Sequence, residues 1–229
     1  MATTGAKAPT AASTTSETGW AGNAWLTPQN LYGAGNAAIT AATFDAGVHS
    51  QVLRAYTFDF SAIPDGSTID GVQVIVGGAY YATAICALGL GQLLDTAGAR
   101  VGTNQYTTNV DLTTSAANYT KGGAADTWGN ALTAAWVKNA NFGVGLGIIV
   151  GASNNCDVFI DSVTMEVWYT APVASDTPIT PTVGSVSAAG ISSLMGPGMA
   201  PPVGGVSVSS GIDDWRMGHG IRPPSMVRI

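Results

Sequence analysis

Residues 58–76, FDFSAIPDGSTIDGVQVIV, constrain the fold most, because they read as strand, corner and strand in succession. Phe58 and Phe60 alternate with Asp59 and Ser61, so the two aromatic rings share one face of an extended chain. Ile63-Pro64-Asp65-Gly66 breaks that alternation: Pro64 fixes its own φ and Gly66 tolerates a positive one. Asp70-Gly71 reads as a second break. From Val72 the run VQVIV is rich in β-branched residues and has the character of a buried strand.

The same grammar recurs at short intervals. Strands are expected at 38–44 and 51–60, and a hairpin at 71–81 and 84–94 around Ala82-Thr83. Asp95-Thr96-Ala97-Gly98 reads as a turn, 100–112 as weaker strands and 113–130 as a long loop. At 132–139, Leu132, Ala135 and Trp136 stand at helical spacing and predict one short helix. In 142–150 the glycines Gly143, Gly145 and Gly147 alternate with Val144, Leu146 and Ile148. One face of that strand is therefore bare, which allows close packing by an aromatic side chain or another backbone. In 158–169, Val163, Met165, Val167 and Tyr169 alternate with Ser162, Thr164, Glu166 and Trp168, the pattern of a half-buried antiparallel strand. Seven or eight short strands and one short helix imply an all-β fold. The expected form is an antiparallel β-sandwich of jelly-roll type, with a partly open barrel as the alternative.

The flanks differ from this domain, which is expected over 20–170. Residues 1–19 are small and polar, and read as a flexible arm. Trp20, Trp25, Leu26, Pro28, Leu31 and Tyr32 then concentrate apolar mass that should pack on the domain or a neighbour. Residues 171–182 hold several prolines and read as an extended linker. Residues 183–229 show no period but contain an ordered repeat. Val183, Gly184, Val186 and Ser187 recur as Val203, Gly204, Val206 and Ser207, and Gly190-Ile191 as Gly211-Ile212. Met195-Gly196-x-Gly198 recurs as Met217-Gly218-x-Gly220, and Pro201-Pro202 as Pro223-Pro224. The tail is read as a duplicated docking peptide whose contact residues are Val183, Gly184, Val186, Ile191, Met195 and Met199 in the first copy. In the second they are Val203, Gly204, Val206, Ile212, Trp215, Arg216, Met217 and Arg222, with Arg228 beyond it.

Catalytic chemistry is poorly represented. The two histidines, His49 and His219, form no metal-ligand spacing with the two cysteines, Cys86 and Cys156. Asp65 and Asp70 each precede a glycine and read as turn formers; Asp157, Asp161 and Glu166 complete the carboxylates considered for a calcium site or an acid pair. No metal, cofactor or catalytic residue is expected, and the chain is not read as an enzyme. The aromatic residues Trp20, Trp25, Tyr80, Tyr81, Trp128, Trp136 and Trp168 leave a sugar-binding platform open, although core or interface roles are commoner for them. The cysteines fit free thiols of a protein made in the cytoplasm, and a disulfide between them is the alternative that the sequence leaves open.

Only 10% of residues are charged, against about 25% in an ordinary soluble domain. That leaves a surface suited to burial by partners. The formal charge of −6 without a basic block excludes a nucleic-acid surface, and 142–151 is too short to span a membrane as a helix.

Two segments resemble the β-sandwich domains of tailed-bacteriophage virion proteins, of the capsid-decoration (cement) type and of some tail-associated proteins. One runs Phe58-x-Phe60, Ile63-Pro64-x-Gly66-x-x-Ile69-x-Gly71-Val72-x-Val74-x-Val76. The other joins Trp136-Val137-x-Asn139-x-Asn141-Phe142-Gly143-Val144 to Asp161-Ser162-Val163-x-Met165-x-Val167-x-Tyr169. Together they cover about half of 50–170, and the tail lies outside them. The resemblance implies a virion-located structural protein that binds the major capsid protein or another virion protein, as a homo-oligomer and by analogy a trimer. A head–tail adaptor or tail-fibre component is the alternative, and a carbohydrate- or receptor-binding module is a further one.

Overall fold

The computed structural model describes residues 1–32, 37–40, 49–82, 85–150 and 157–173, with 37–40 described by backbone alone. Two antiparallel sheets face each other across one core. The first holds β1 (Ala2–Thr3), β3 (Ala37–Thr40), β5 (Thr68–Tyr81), β9 (Ala117–Gly122), β11 (Asp157–Ile160) and β12 (Ser162–Thr170). The second holds β2 (Pro9–Thr15), β4 (Val52–Phe58), β6 (Cys86–Leu94), β7 (Arg100–Val101), β8 (Val110–Asp111) and β10 (Gly143–Val150).

The topology is a jelly roll. β11 and β12 run along one edge of β5 in a single register, Phe159 opposite Tyr80 and Ser162 opposite Gly77, so they fill one strand position. β7 and β8 share the edge of β6 that faces away from β10, and fill another. Counted from β3, the first sheet is then ordered β3, β11/β12, β5, β9 and the second β4, β10, β6, β7/β8. Consecutive strands alternate between sheets at 3–4, 4–5 and 5–6, and return at 9–10 and 10–11, as the double Greek key requires.

The corner at 59–67 carries the chain from the second sheet to the first. Phe58 and Phe60 lie on one side, their rings stacked at 5.8 Å, and Phe60 meets Phe142 edge-on at 6.1 Å. Phe60 and Ile63 are buried, and Gly66 turns at φ +75°. Asp70-Gly71 is not a break. It lies inside β5, where Gly71 pairs with Trp168 and Ile69 with Tyr169, so Asp70 is the extra residue of a β-bulge. An added Cβ at Gly71 would lie 2.2 Å from the Gly123 carbonyl, which explains the glycine.

Three further expectations are corrected. The hairpin of 71–81 with 84–94 does not form: β5 and β6 belong to opposite sheets, because both edges of each are already taken by other strands. The loop expected at 113–130 contains β9, which pairs with β5 from Gln73 to Ala79. The helix is one turn, α1 (Ala134–Val137), where Thr133 caps by accepting the Trp136 N–H.

Residues 1–19, expected as a flexible arm, instead strap the sandwich. β1 pairs with the outer edge of β12, Lys7 bridges to Met165, and β2 then pairs with the outer edge of β4 along its length. The strap thus covers an edge of each sheet. Of the apolar residues that follow, Trp25 and Leu31 enter the core, whereas Leu26 and Tyr32 remain exposed. Cys86 is disulfide-bonded, the alternative to the free thiol that the compartment favoured; Cys156, the other cysteine of the sequence, lies outside the described residues.

Candidate functional site

The outer face of the second sheet carries a group of linked polar and aromatic side chains. The core-facing residues of β10 are Val144, Leu146 and Ile148, so its three glycines face outward. Each is bare for a different neighbour. A Cβ on Gly147 would lie 2.3 Å from the Trp20 ring, one on Gly145 would lie 3.0 Å from Val52 Cγ1 and 3.2 Å from Arg100 Cδ, and one on Gly143 would lie 2.0 Å from the Ala55 carbonyl. The expected close approach by aromatic ring and backbone is therefore present.

Trp20 reaches Gly147 from a two-residue turn. Glu17 and Trp20 exchange both backbone hydrogen bonds, at 2.8 and 3.1 Å, and Gly19 supplies the positive φ of +77° between them. His49 stacks on Trp20 at 4.5 Å and donates through Nδ1 to the Gly19 carbonyl at 2.5 Å. Beside this turn the Glu17 carboxylate joins two arginines from different strands. Arg54 of β4 donates to Oε1 from Nε at 3.2 Å and Nη2 at 2.7 Å, and Arg100 of β7 donates to Oε2. Arg100 also donates to Gln92 Oε1 at 3.1 Å. Burial disfavours the Glu17 carboxylate, but the hydrogen bonds and charges of Arg100 and Arg54 outweigh it and hold its pKa below the ordinary value. The group locks the strap onto the sheet.

Two open hollows lie beyond this lock, on either side of the turn between β6 and β7. Asp95, Thr96, Thr133, Ala135, Trp136 and Asn139 line the larger, of about 530 Å³. The smaller, about 150 Å³, takes Ala97 and Gly98 from the same turn, with Tyr56, Arg54, Ser13 and Asn141 around it. The turn is rigid: Asp95 Oδ1 accepts the backbone N–H groups of Ala97 and Ala99, both at 2.8 Å, and Asn141 Nδ2 donates to the Thr96 carbonyl at 2.8 Å. Trp136 is fixed by its indole N–H, which donates to the Leu94 carbonyl at 3.2 Å.

The other candidate residues do not converge. Asp65 pairs with Lys138, Asp70 accepts the Thr170 hydroxyl at 2.8 Å and Glu166 accepts the Thr3 hydroxyl. Among the described residues no three His, Cys, Asp or Glu side chains cluster as a metal site. The aromatic residues scatter likewise. Trp25 and Trp128 are core, Tyr80 stacks on Phe159 at 4.9 Å across β5 and β11, and Trp136 lines the larger hollow. Tyr106 fills the space over Gly91 between the sheets, and its burial raises the phenol pKa. Among the described residues no helix is long and apolar enough to cross a membrane. The tail residues expected to dock, from Val183 to Arg228, lie outside the described residues, as do His219 and the repeat itself.

Sequence reasoning passes over Glu17, Arg54 and Arg100. Their signal is weak but real: in a chain with 8 basic residues, two arginines at strand positions need a carboxylate partner. No protein-family model matches the chain, and no curated protein matches it.

Proposed function

We propose that this chain is a structural protein of a tailed-phage virion that decorates the capsid by binding the shell lattice, as a homo-oligomer. The observation that carries this reading is the joining, in one chain, of a strapped jelly roll to a tail in which a Val-Gly-x-Val-Ser and Met-Gly-x-Gly peptide occurs twice in the same order. A lattice presents the same surface many times, so a duplicated peptide finds two equivalent sites there. Two weak sites on one chain raise avidity by roughly 10²–10⁴ when the spacer spans both. Twenty extended residues reach on the order of 60–70 Å, ample for neighbouring positions on a shell. The low charge of the chain and the strand edges covered by its own N-terminus support a module that packs against partners without unspecific edge pairing. Its place of action on this reading is the virion, after synthesis in the host cytoplasm.

The test is retention on phage capsids of the intact chain and of two deletions, 183–201 and 203–224. Each deletion alone weakens co-sedimentation and the pair abolishes it. If the double deletion binds as the intact chain does, the tail is not the anchor and the repeat is an accident of composition.

A further inference from the structure

The larger hollow beside α1 has the chemistry of a sugar site. Trp136 offers a flat apolar ring whose one polar atom is already spent on the Leu94 carbonyl, so the ring is held in place without needing a ligand to satisfy it. The groups around it are of the opposite kind. Asp95 uses Oδ1 on its own turn, which leaves Oδ2 as an acceptor. Asn139 uses Oδ1 on the Asn141 N–H at 2.9 Å, which leaves its amide N–H groups as donors. Thr133 accepts the Trp136 N–H at 3.2 Å and keeps its hydroxyl proton, and Thr96 adds a second hydroxyl. A flat apolar ring beside a mixed set of donors and acceptors matches a pyranose, which has one face of C–H groups and a rim of hydroxyls that both donate and accept. The larger hollow is lined by one carboxylate and no cation, which disfavours phosphorylated or acidic ligands.

We infer that the hollow formed by Trp136, Asp95, Asn139, Thr96 and Thr133 binds a neutral hexopyranose unit of a glycan. Its volume of about 530 Å³ lies within the range of small-molecule sites. The site does not depend on the tail or on the capsid reading.

The experiment is a glycan array of neutral and acidic oligosaccharides probed with the labelled full-length chain, followed by titration of the best neutral ligand. Two variants decide the assignment. Trp136→Ala removes the stacking face. Because that ring also packs against the core, Asn139→Asp is the second: it keeps Oδ1 for the Asn141 N–H and replaces the donor amide with an acceptor beside Asp95. Asn139→Asp is expected to keep the thermal midpoint of the parent and to weaken binding about tenfold or more. Binding of neutral pyranosides that falls in this way supports the site. No neutral ligand on the array, a preference for acidic glycans, or affinity unchanged in both variants overturns it.

Discussion

Replacing Glu17 by glutamine tests the lock that holds the N-terminal strap. The amide keeps the size and an acceptor but leaves Arg54 and Arg100 without a counter-charge. Arg54 uses Oε1 and Arg100 uses Oε2, so the single amide oxygen can serve one arginine while the amide N–H groups face the other; losing one hydrogen bond to a charged group removes about 1.5–3 kcal/mol. The side chains are 16–22% exposed, so solvent screens part of this, and a loss of about 1–2 kcal/mol near neutral pH is expected. The sign with pH is fixed by the lowered pKa of Glu17. Its contribution is complete above the ordinary value of 4.5 and is lost as pH falls through the lower folded value, where the carboxyl protonates. Denaturant titrations of parent and Glu17→Gln should therefore differ most near neutral pH, and the gap should shrink in acid as the pH falls through the lowered folded pKa of Glu17. A gap of equal size at neutral and acid pH, or no gap at neutral pH, would refute the reasoning.

Other outcomes follow from the packing. Trp128 is fully buried, adopts φ +57° and donates its indole N–H to the Val72 carbonyl at 2.9 Å; Trp128→Ala should cost about 3–5 kcal/mol in chemical denaturation. Gly147→Val should expel Trp20 from the sheet, read as increased quenching of tryptophan fluorescence by added iodide, while Gly123→Ala, where an added Cβ meets nothing within 4 Å, leaves it unchanged. Deleting residues 1–15 should bare the edges of β12 and β4, lowering the thermal midpoint and producing concentration-dependent association by light scattering. Alkylation of the denatured, unreduced chain should leave Cys86 unlabelled, and labelling should appear only after reduction.

The two-sheet architecture is legible because core strands announce themselves by alternation. Val163, Met165 and Val167 face inward, as their spacing requires, and Gly143, Gly145 and Gly147 share the bare face. What is not legible is the pairing. Adjacent strands usually pair, which favours a hairpin of β5 with β6; the jelly roll instead sends them to opposite sheets, and no local signal marks that choice. β9 is hard to see because ANYTKG is a polar edge strand with little apolar side chain to bury. β2 is hidden for the same reason, although the threonines of PTAASTT are β-formers and are the available clue. At the candidate sites, Trp136 is among the aromatics that the sequence offers for sugar binding. Asp95 reads only as a turn residue, and the fold alone sets that turn beside α1.

A cryo-EM reconstruction of tailed-phage particles incubated with this chain tests the central proposal most directly. The proposal predicts jelly-roll density at repeated equivalent positions of the capsid lattice, with residues 183–229 running along the shell between neighbouring capsomers. Density confined to the neck, tail or fibre, or particles that lack the chain altogether, would contradict it.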